Sequence, residues 1–159
     1  MSDPTIMPAA AAKGDKSRSG ALVAYIDGGS RGNPGVAGAG VYFELEGAPW
    51  RGLFQYLGRQ TNNFAEYSSL LAALEYAIKN GFSEIQVRAD SELLVRQMLG
   101  RYRVKNPALK RLHEQAMDLI RLMRRFSLEH IARERNRRAD ALVNKAQNLQ
   151  QSGEERYET

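Results

Sequence analysis

ALVAYIDGGSRGNPG, residues 21–35, is the stretch on which the fold turns. Its first part, Ala21–Asp27, is an apolar, partly β-branched run that stops at a glycine-rich turn, the pattern of a buried strand. Gly38–Leu45 and Arg51–Leu57 are two further strand-like runs joined by Glu46-Gly47-Ala48-Pro49, so the first three strands read as an antiparallel meander. A helix follows over about 63–80, with Leu70, Leu71, Leu74, Ala77 and Ile78 on one stripe and Gly81 past its end. Glu84–Asp90 reads as a fourth strand and Ser91–Leu99 as a short helix. Asn106-Pro107 opens another helix, Phe126–Arg133 alternates as a fifth strand, and Arg137–Leu149 closes the domain as a helix. The order βββαβααβα predicts an α/β fold with a mixed sheet flanked by helices.

At 159 residues, 43% hydrophobic and 26% charged, the chain has the size and composition of one soluble globular domain. That domain is expected over residues 21–150. Residues 1–20 are small, polar and unpatterned, which predicts a disordered extension, and residues 151–159 read as a frayed polar tail. No apolar run approaches the ~20 residues of a membrane helix. Ala9–Ala12 is too short for the core of a signal peptide, so export is not expected. With no cysteine there is neither a disulfide framework nor a thiolate metal site, which fits the cytoplasm. Any metal must be held by oxygen or by one of two histidines. The net charge of +5 is unevenly spread: residues 96–145 hold 14 Lys/Arg against 5 Asp/Glu. A basic half of this kind fits either a solvated helical surface or a face that meets nucleic acid.

Four acids fall at the ends of elements. Asp27 ends the first strand and Asp90 the fourth; Glu66 is expected in the first turn of the long helix and Asp140 in the first turn of the last one. Glu66 precedes Leu70 by four residues and so shares its inward stripe. Partly buried carboxylates gathered in one place repel each other unless cations neutralise them. Oxygen ligands of this kind suit Mg²⁺ or Mn²⁺. Two such ions about 4 Å apart could activate a water and stabilise the leaving oxygen of a phosphodiester. Each acid also has an ordinary reading. Asp27 could start a turn, Asn63-Phe64-Ala65-Glu66 has capping-box spacing, and Asp90 and Asp140 could be acids favoured by helix dipoles.

Four segments occur in order: Asp27-Gly28-Gly29-Ser30-Arg31-Gly32-Asn33-Pro34-Gly35, Thr61-Asn62-Asn63-Phe64-Ala65-Glu66-Tyr67, Ala89-Asp90-Ser91, and Arg133-Glu134-Arg135-Asn136 leading to Ala139-Asp140. Together they resemble type 1 ribonuclease H over about residues 21–148. The resemblance implies a five-stranded mixed sheet flanked by helices and hydrolysis of the RNA strand of an RNA–DNA hybrid, leaving 3′-hydroxyl and 5′-phosphate ends. It implies that Asp27, Glu66, Asp90 and Asp140 are catalytic and bind two Mg²⁺ or Mn²⁺ ions when substrate is present. Ser30, Asn33, Asn62 and Asn63 fall where the family reads the minor groove and its 2′-hydroxyls, and Thr61 where it holds a DNA phosphate; short polar side chains suit that task.

Three departures qualify the resemblance. Many members carry a histidine on a loop before the last aspartate; here Arg133 takes that place, while His130 reads as structural and His113 as a helix-surface residue. The basic helix and handle found in many members is reduced to Arg101-Tyr102-Arg103-Val104-Lys105, so affinity for the hybrid would draw on Arg135, Arg137, Arg138 or the N-terminal tail. Glu92 replaces the glutamine often found after Asp-Ser. The expected partner is the hybrid alone, with a monomeric protein, no membrane and no obligatory protein partner. The rival readings are a binding module that keeps the fold without turnover and a nuclease of the same fold acting on double-stranded RNA or structured DNA.

Overall fold

Alternation in the opening strand sets the layers. The computed structural model describes residues 5–6 and 21–157. In β2 (Leu22–Gly32; β1 is Thr5–Ile6), Leu22, Ala24 and Ile26 are buried on one face while Val23, Tyr25 and Asp27 lie on the other. β2 pairs antiparallel with β3 (Gly35–Leu45), and β3 with β4 (Ala48–Gln60), which gives the expected meander. After α1 (Asn62–Lys79) the chain returns as β5 (Glu84–Ala89), parallel to β2 with Ile26 opposite Ala89. α2 (Glu92–Met98) and α3 (Pro107–Ile120) lead to β6 (Arg125–His130), parallel to β5. α4 (Arg137–Leu149) and β7 (Gly153–Arg156) complete the order β1-β6-β5-β2-β3-β4-β7. The expected five-stranded mixed sheet is β2–β6, flanked by helices.

α1 covers one face. Tyr67, Leu70 and Leu74 are fully buried against Ile26, Phe43 and Val87 in a single core. Burying one such leucine contributes about 1.5–3 kcal/mol relative to leaving it exposed, so the inward stripe of α1 is the main tie between helix and sheet. α4 covers part of the other face through Ala139, Leu142, Val143 and Ala146.

Two glycines let both helices approach β2 and β3 closely. A Cβ at Gly28 would run into the Ala65 carbonyl and the Glu66 backbone nitrogen of α1. One at Gly40 would meet the Ala139 carbonyl oxygen at 2.5 Å and Leu142 Cβ at 2.9 Å on α4. Gly28 follows Asp27, and Gly40 is its cross-strand partner. The close approaches therefore bracket the aspartate.

Four expectations need correction. β2 runs past Asp27 to Gly32, because β3 keeps pairing with it through the Gly32–Gly35 step. The fifth strand ends at His130, and Arg133 opens a 3-10 turn over Arg133–Arg135. The C-terminal segment is not a frayed tail throughout, since Gly153–Arg156 pairs antiparallel with Arg51–Phe54 of β4. At the other end, Thr5–Ile6 pairs with Phe126 and Ser127 of β6, while the rest of the expected extension lies outside the described residues. No helix among the described residues is long and apolar enough to cross a membrane.

Candidate active site

Adjacent parallel strands deliver two of the acids. Ile26 and Ala89 are paired across β2 and β5, so Asp27, within β2, and Asp90, just past the end of β5, stand side by side. Glu66 comes from α1. It is the fifth residue of that helix and not a first-turn acid, because Thr61 caps the helix, its Oγ1 accepting from the Phe64 N–H at 3.1 Å. The capping-box reading of Asn63 and Glu66 therefore falls, and Glu66 is free to face the sheet. One carboxylate oxygen from each of Asp27, Glu66 and Asp90 lies within 4.8 Å of the others.

Asp140 stands apart from this trio in the first turn of α4, exposed, with the Asn144 Nδ2 donating to its Oδ2 at 3.4 Å. Its charge nevertheless acts on Asp27. Burial, then the carboxylates of Asp90 and Asp140, push Asp27 up to about 8, against the Gly28 N–H that donates to its Oδ1 at 2.9 Å. Burial also raises Glu66, to about 7, with the Ser91 hydroxyl and the Arg133 charge opposing the rise. A cation would relieve this penalty by supplying the positive charge that the ionised forms lack.

Two residues of the quoted segments do more than their sequence positions show. Asn136 occupies the N-cap position of α4 but makes no capping hydrogen bond. Its Nδ2 donates instead to the Ile26 carbonyl at 2.8 Å and to Asp90 Oδ2 at 3.0 Å, fixing the carboxylate relative to β2. Its Oδ1 is buried and without a partner among the described residues. What fits a divalent cation is the donor set itself, three half-buried carboxylates with one oxygen each within 4.8 Å of the others. Ser91 accepts from the Leu94 N–H at 3.2 Å as the cap of α2 and hydrogen-bonds Glu66 as well. The sequence signal for both was an Asn and a Ser at helix starts, where capping is the default reading.

Three of the five residues expected to meet substrate, Ser30, Asn33 and Asn62, form one hydrogen-bonded network. The Ser30 N–H donates to Asn62 Oδ1 at 3.3 Å, the Asn62 N–H donates to Asn33 Oδ1 at 2.9 Å, and the Ser30 hydroxyl lies within reach of two carbonyl acceptors, that of Gln60 at 2.8 Å and that of Gly32, to one of which it can donate. The tip of the β2–β3 hairpin is thus tied to the start of α1. Asn63 is half-buried and Asn33 and Thr61 are exposed. Arg133 is exposed in the 3-10 turn, close enough for its charge to lower Glu66. His130 is exposed at the end of β6. His113 is not a surface residue: it is half-buried, its Nε2 is 3.3 Å from the Gln97 carbonyl, and its ring meets Tyr67 edge-on. Glu92 is engaged by Arg96, whose Nη2 is 2.6 Å from its Oε2.

A family model described as reverse transcriptase-like matches residues 25–146. The ribonuclease HI of Halobacterium salinarum is 42% identical over 130 residues, covering 81% of this chain and 65% of its own. The crystal structure of ribonuclease H1 from that archaeon matches with a TM-score of 0.79 at 40% identity, over 82% of this chain and 99% of that one. The chain belongs to the type 1 ribonuclease H family. The N-terminal ribonuclease H domain of a Mycobacterium tuberculosis protein is similar, at 44% identity and a TM-score of 0.78, over 82% of this chain and 96% of that domain. So is LC11-RNase H1, solved in complex with an RNA/DNA hybrid, at 42% identity and 0.76, over 81% and 98%. The chain spans 65% of the full archaeal relative and 35% of the full mycobacterial bifunctional protein. What it shares with both is the ribonuclease H domain, in which the carboxylate trio and the hairpin network lie.

Proposed function

We propose that this chain is an endonuclease that hydrolyses the RNA strand of RNA–DNA hybrids in a reaction dependent on divalent cations. The observation that carries the reading is the convergence of Asp27, Glu66 and Asp90 to within 4.8 Å, beside a hairpin and helix start lined with short polar side chains. The similarity to LC11-RNase H1, solved with a hybrid, supports the substrate class. Asp27, Glu66, Asp90 and Asp140 would hold Mg²⁺ or Mn²⁺, two ions with substrate present, which would supply charge neutralisation and an activated water at the scissile phosphate. Asn136 holds the Asp90 carboxylate, and Ser91 holds that of Glu66 in its ionised form. Ser30, Asn33, Asn62 and Asn63 take the 2′-hydroxyls and groove edges, and Thr61 a DNA phosphate. Water adds to phosphorus, the bond to the 3′-oxygen breaks, and the proton passes to that oxygen, leaving 3′-hydroxyl and 5′-phosphate ends. Arg133, whose charge acts on Glu66, takes the place of the loop histidine and assists release of the anionic product.

The test is cleavage of a labelled RNA–DNA hybrid with Mg²⁺ or Mn²⁺, beside single-stranded RNA, duplex RNA and duplex DNA, with Asp90→Asn as control. Cutting is expected in the hybrid's RNA strand only, and is expected to be abolished by EDTA and by the substitution. Binding of the hybrid without cutting would overturn the reading in favour of a binding module. Preferential cutting of duplex RNA or DNA would move the chain to another nuclease class.

A further inference from the structure

Behind the catalytic carboxylates, on the α4 side of the sheet, lies a second cleft of about 280 Å³. Tyr25, Tyr42 and Asn136 form its floor, and Arg135, Arg137 and Arg138 stand on its rim. Asn136 is a shared wall, since its amide holds Asp90 on one side and lines this cleft on the other. Tyr25 precedes Asp27 by two residues on the same face of β2, a separation of about 7 Å. The cleft therefore lies next to the carboxylate cluster, with the Asn136 side chain between them.

Its arginines are not held in ion pairs. All three rim arginines are exposed, and none forms an ion pair among the described residues. Of the two acids that line the cleft, Glu44 accepts a hydrogen bond from the Tyr42 hydroxyl at 3.1 Å and Glu134 is exposed in the 3-10 turn, without an ion pair to any of the three arginines among the described residues. One guanidinium is oriented in advance: Arg138 lies over the Tyr42 ring at 4.8 Å, and Tyr42 packs on Tyr25 at 5.7 Å. Arg88 fixes the far side of Tyr25, with Nη1 donating to its hydroxyl at 2.7 Å and the guanidinium 5.4 Å from the ring. Stacking holds the Arg138 guanidinium by its face and leaves its edge donors available, the arrangement that suits a phosphate.

We propose that this cleft is a second phosphate-binding subsite, in which Arg135, Arg137 and Arg138 hold the sugar–phosphate backbone of the nucleic acid strand as it continues past the carboxylate cluster. The place of the cleft beside the carboxylate cluster and its three exposed arginines against two acids single out a polyanion. The near-complete burial of Tyr42 makes the contact one to backbone and not to stacked bases. The proposal rests on the nuclease reading only in requiring that nucleic acid reach the carboxylates.

The test is binding of a fluorescent RNA–DNA hybrid to the full chain in EDTA over a salt series. The wild type is compared with the triple variant Arg135→Gln, Arg137→Gln, Arg138→Gln, with Arg138→Lys, and with Arg121→Gln as a charge control from the end of α3. Thermal melts confirm that each variant is folded. Each arginine that neutralises a phosphate adds about 0.9 to the slope of log affinity against log salt, so the triple variant should flatten that slope by about 2–3. Arg121→Gln should not change it. Arg138→Lys should keep the slope and weaken affinity at every salt concentration, because the stacked planar donors are lost while the charge remains. An unchanged slope in the triple variant, or an equal flattening by Arg121→Gln, would overturn the subsite. A chain that cuts no hybrid yet loses slope in the triple variant would overturn the nuclease reading and leave the subsite standing; one that cuts hybrids with slope unchanged would do the reverse.

Discussion

One amide decides where the Asp90 carboxylate points. Asn136 is 1% exposed and gives both of its N–H groups to the site, one to Asp90 and one to the Ile26 carbonyl. Groups that orient metal ligands typically account for 10- to 100-fold in metal affinity or activity. Asn136→Ala should lower hybrid cleavage by about that factor and cost about 1–3 kcal/mol of stability, since the two hydrogen bonds of a buried amide are lost. Parallel kinetics and urea melts check both, and full activity in the variant would refute the role. Asp27 makes a prediction about pH. Its native value of about 8 lies far above its ordinary 3.8, so between those limits the native chain binds a proton that the unfolded chain has released. Metal-free stability should therefore fall as pH rises from about 4 to about 8, by a few kcal/mol at roughly 1.4 kcal/mol per unit. Asp27→Asn should remove that part of the fall, and added Mg²⁺ should offset it in the wild type. Urea melts in EDTA decide the matter, and equal pH dependence in the two proteins would refute it. At Arg133 the contrast lies between chemistry and grip. Arg133→Ala should lower turnover more than hybrid binding, whereas equal losses would make it a substrate contact only.

Elements place the acids through backbone contact more than through side-chain packing. Gly28 and Gly40 remove the Cβ atoms that would hold α1 and α4 off the sheet, and these two helices carry Glu66 and Asp140. Alanine at either position must push a helix backbone outward. Overpacking of this kind costs about 1–3 kcal/mol, and more when the obstacle is backbone. Gly28→Ala and Gly40→Ala should each lower Tm by about 4–10 °C at this chain length. Gly28→Ala should weaken divalent-cation binding more, since Glu66 belongs to the close trio and Asp140 does not. Calorimetric titration with Mn²⁺ alongside thermal melts checks the ranking, and equal affinities would refute it. The strand runs, the leucine stripe of α1 and the Asn106-Pro107 helix start were legible because each has a local periodicity or cap. The position of Glu66 within its helix was misread because Thr61, not Asn63, supplies the cap. The roles of Asn136 and Ser91 depend on what stands across the fold from them, which no local pattern records.

For the whole molecule, the four acids could be picked out in the sequence although Asp27 and Glu66 lie inside their elements and not at the ends, but the meeting of Asp27, Glu66 and Asp90 depended on a strand order that only the family resemblance supplied. The largest miss lies at the opposite edge of the sheet. GEER, residues 153–156, has no apolar alternation, so nothing in its composition marks a strand. It is held by cross-strand partners instead. Glu154 accepts from the Tyr76 hydroxyl at 2.6 Å and lies 3.4 Å from Arg51, while Lys145 Nζ is 2.5 Å from Glu155 and the Tyr157 N–H donates to the Trp50 carbonyl at 3.1 Å. These contacts bind β7 to β4, to α1 and to α4 at once, so the strand ties together the helices on the two faces of the sheet. The ion pairs are partly exposed and individually weak, and the backbone ladder and the tyrosine contacts carry most of the effect. Ending the chain after Gln150 should therefore cost about 2 kcal/mol, or about 4–8 °C in Tm. The loss should change little when salt is raised, because charge is the smaller part of it. Cleavage well below the new Tm should persist, since β7 lies three strands from Asp27 in the sheet order. Calorimetry at low and high salt with a hybrid assay at reduced temperature checks each point, and loss of cleavage by a fully folded truncated chain would show that the edge strand reaches the site.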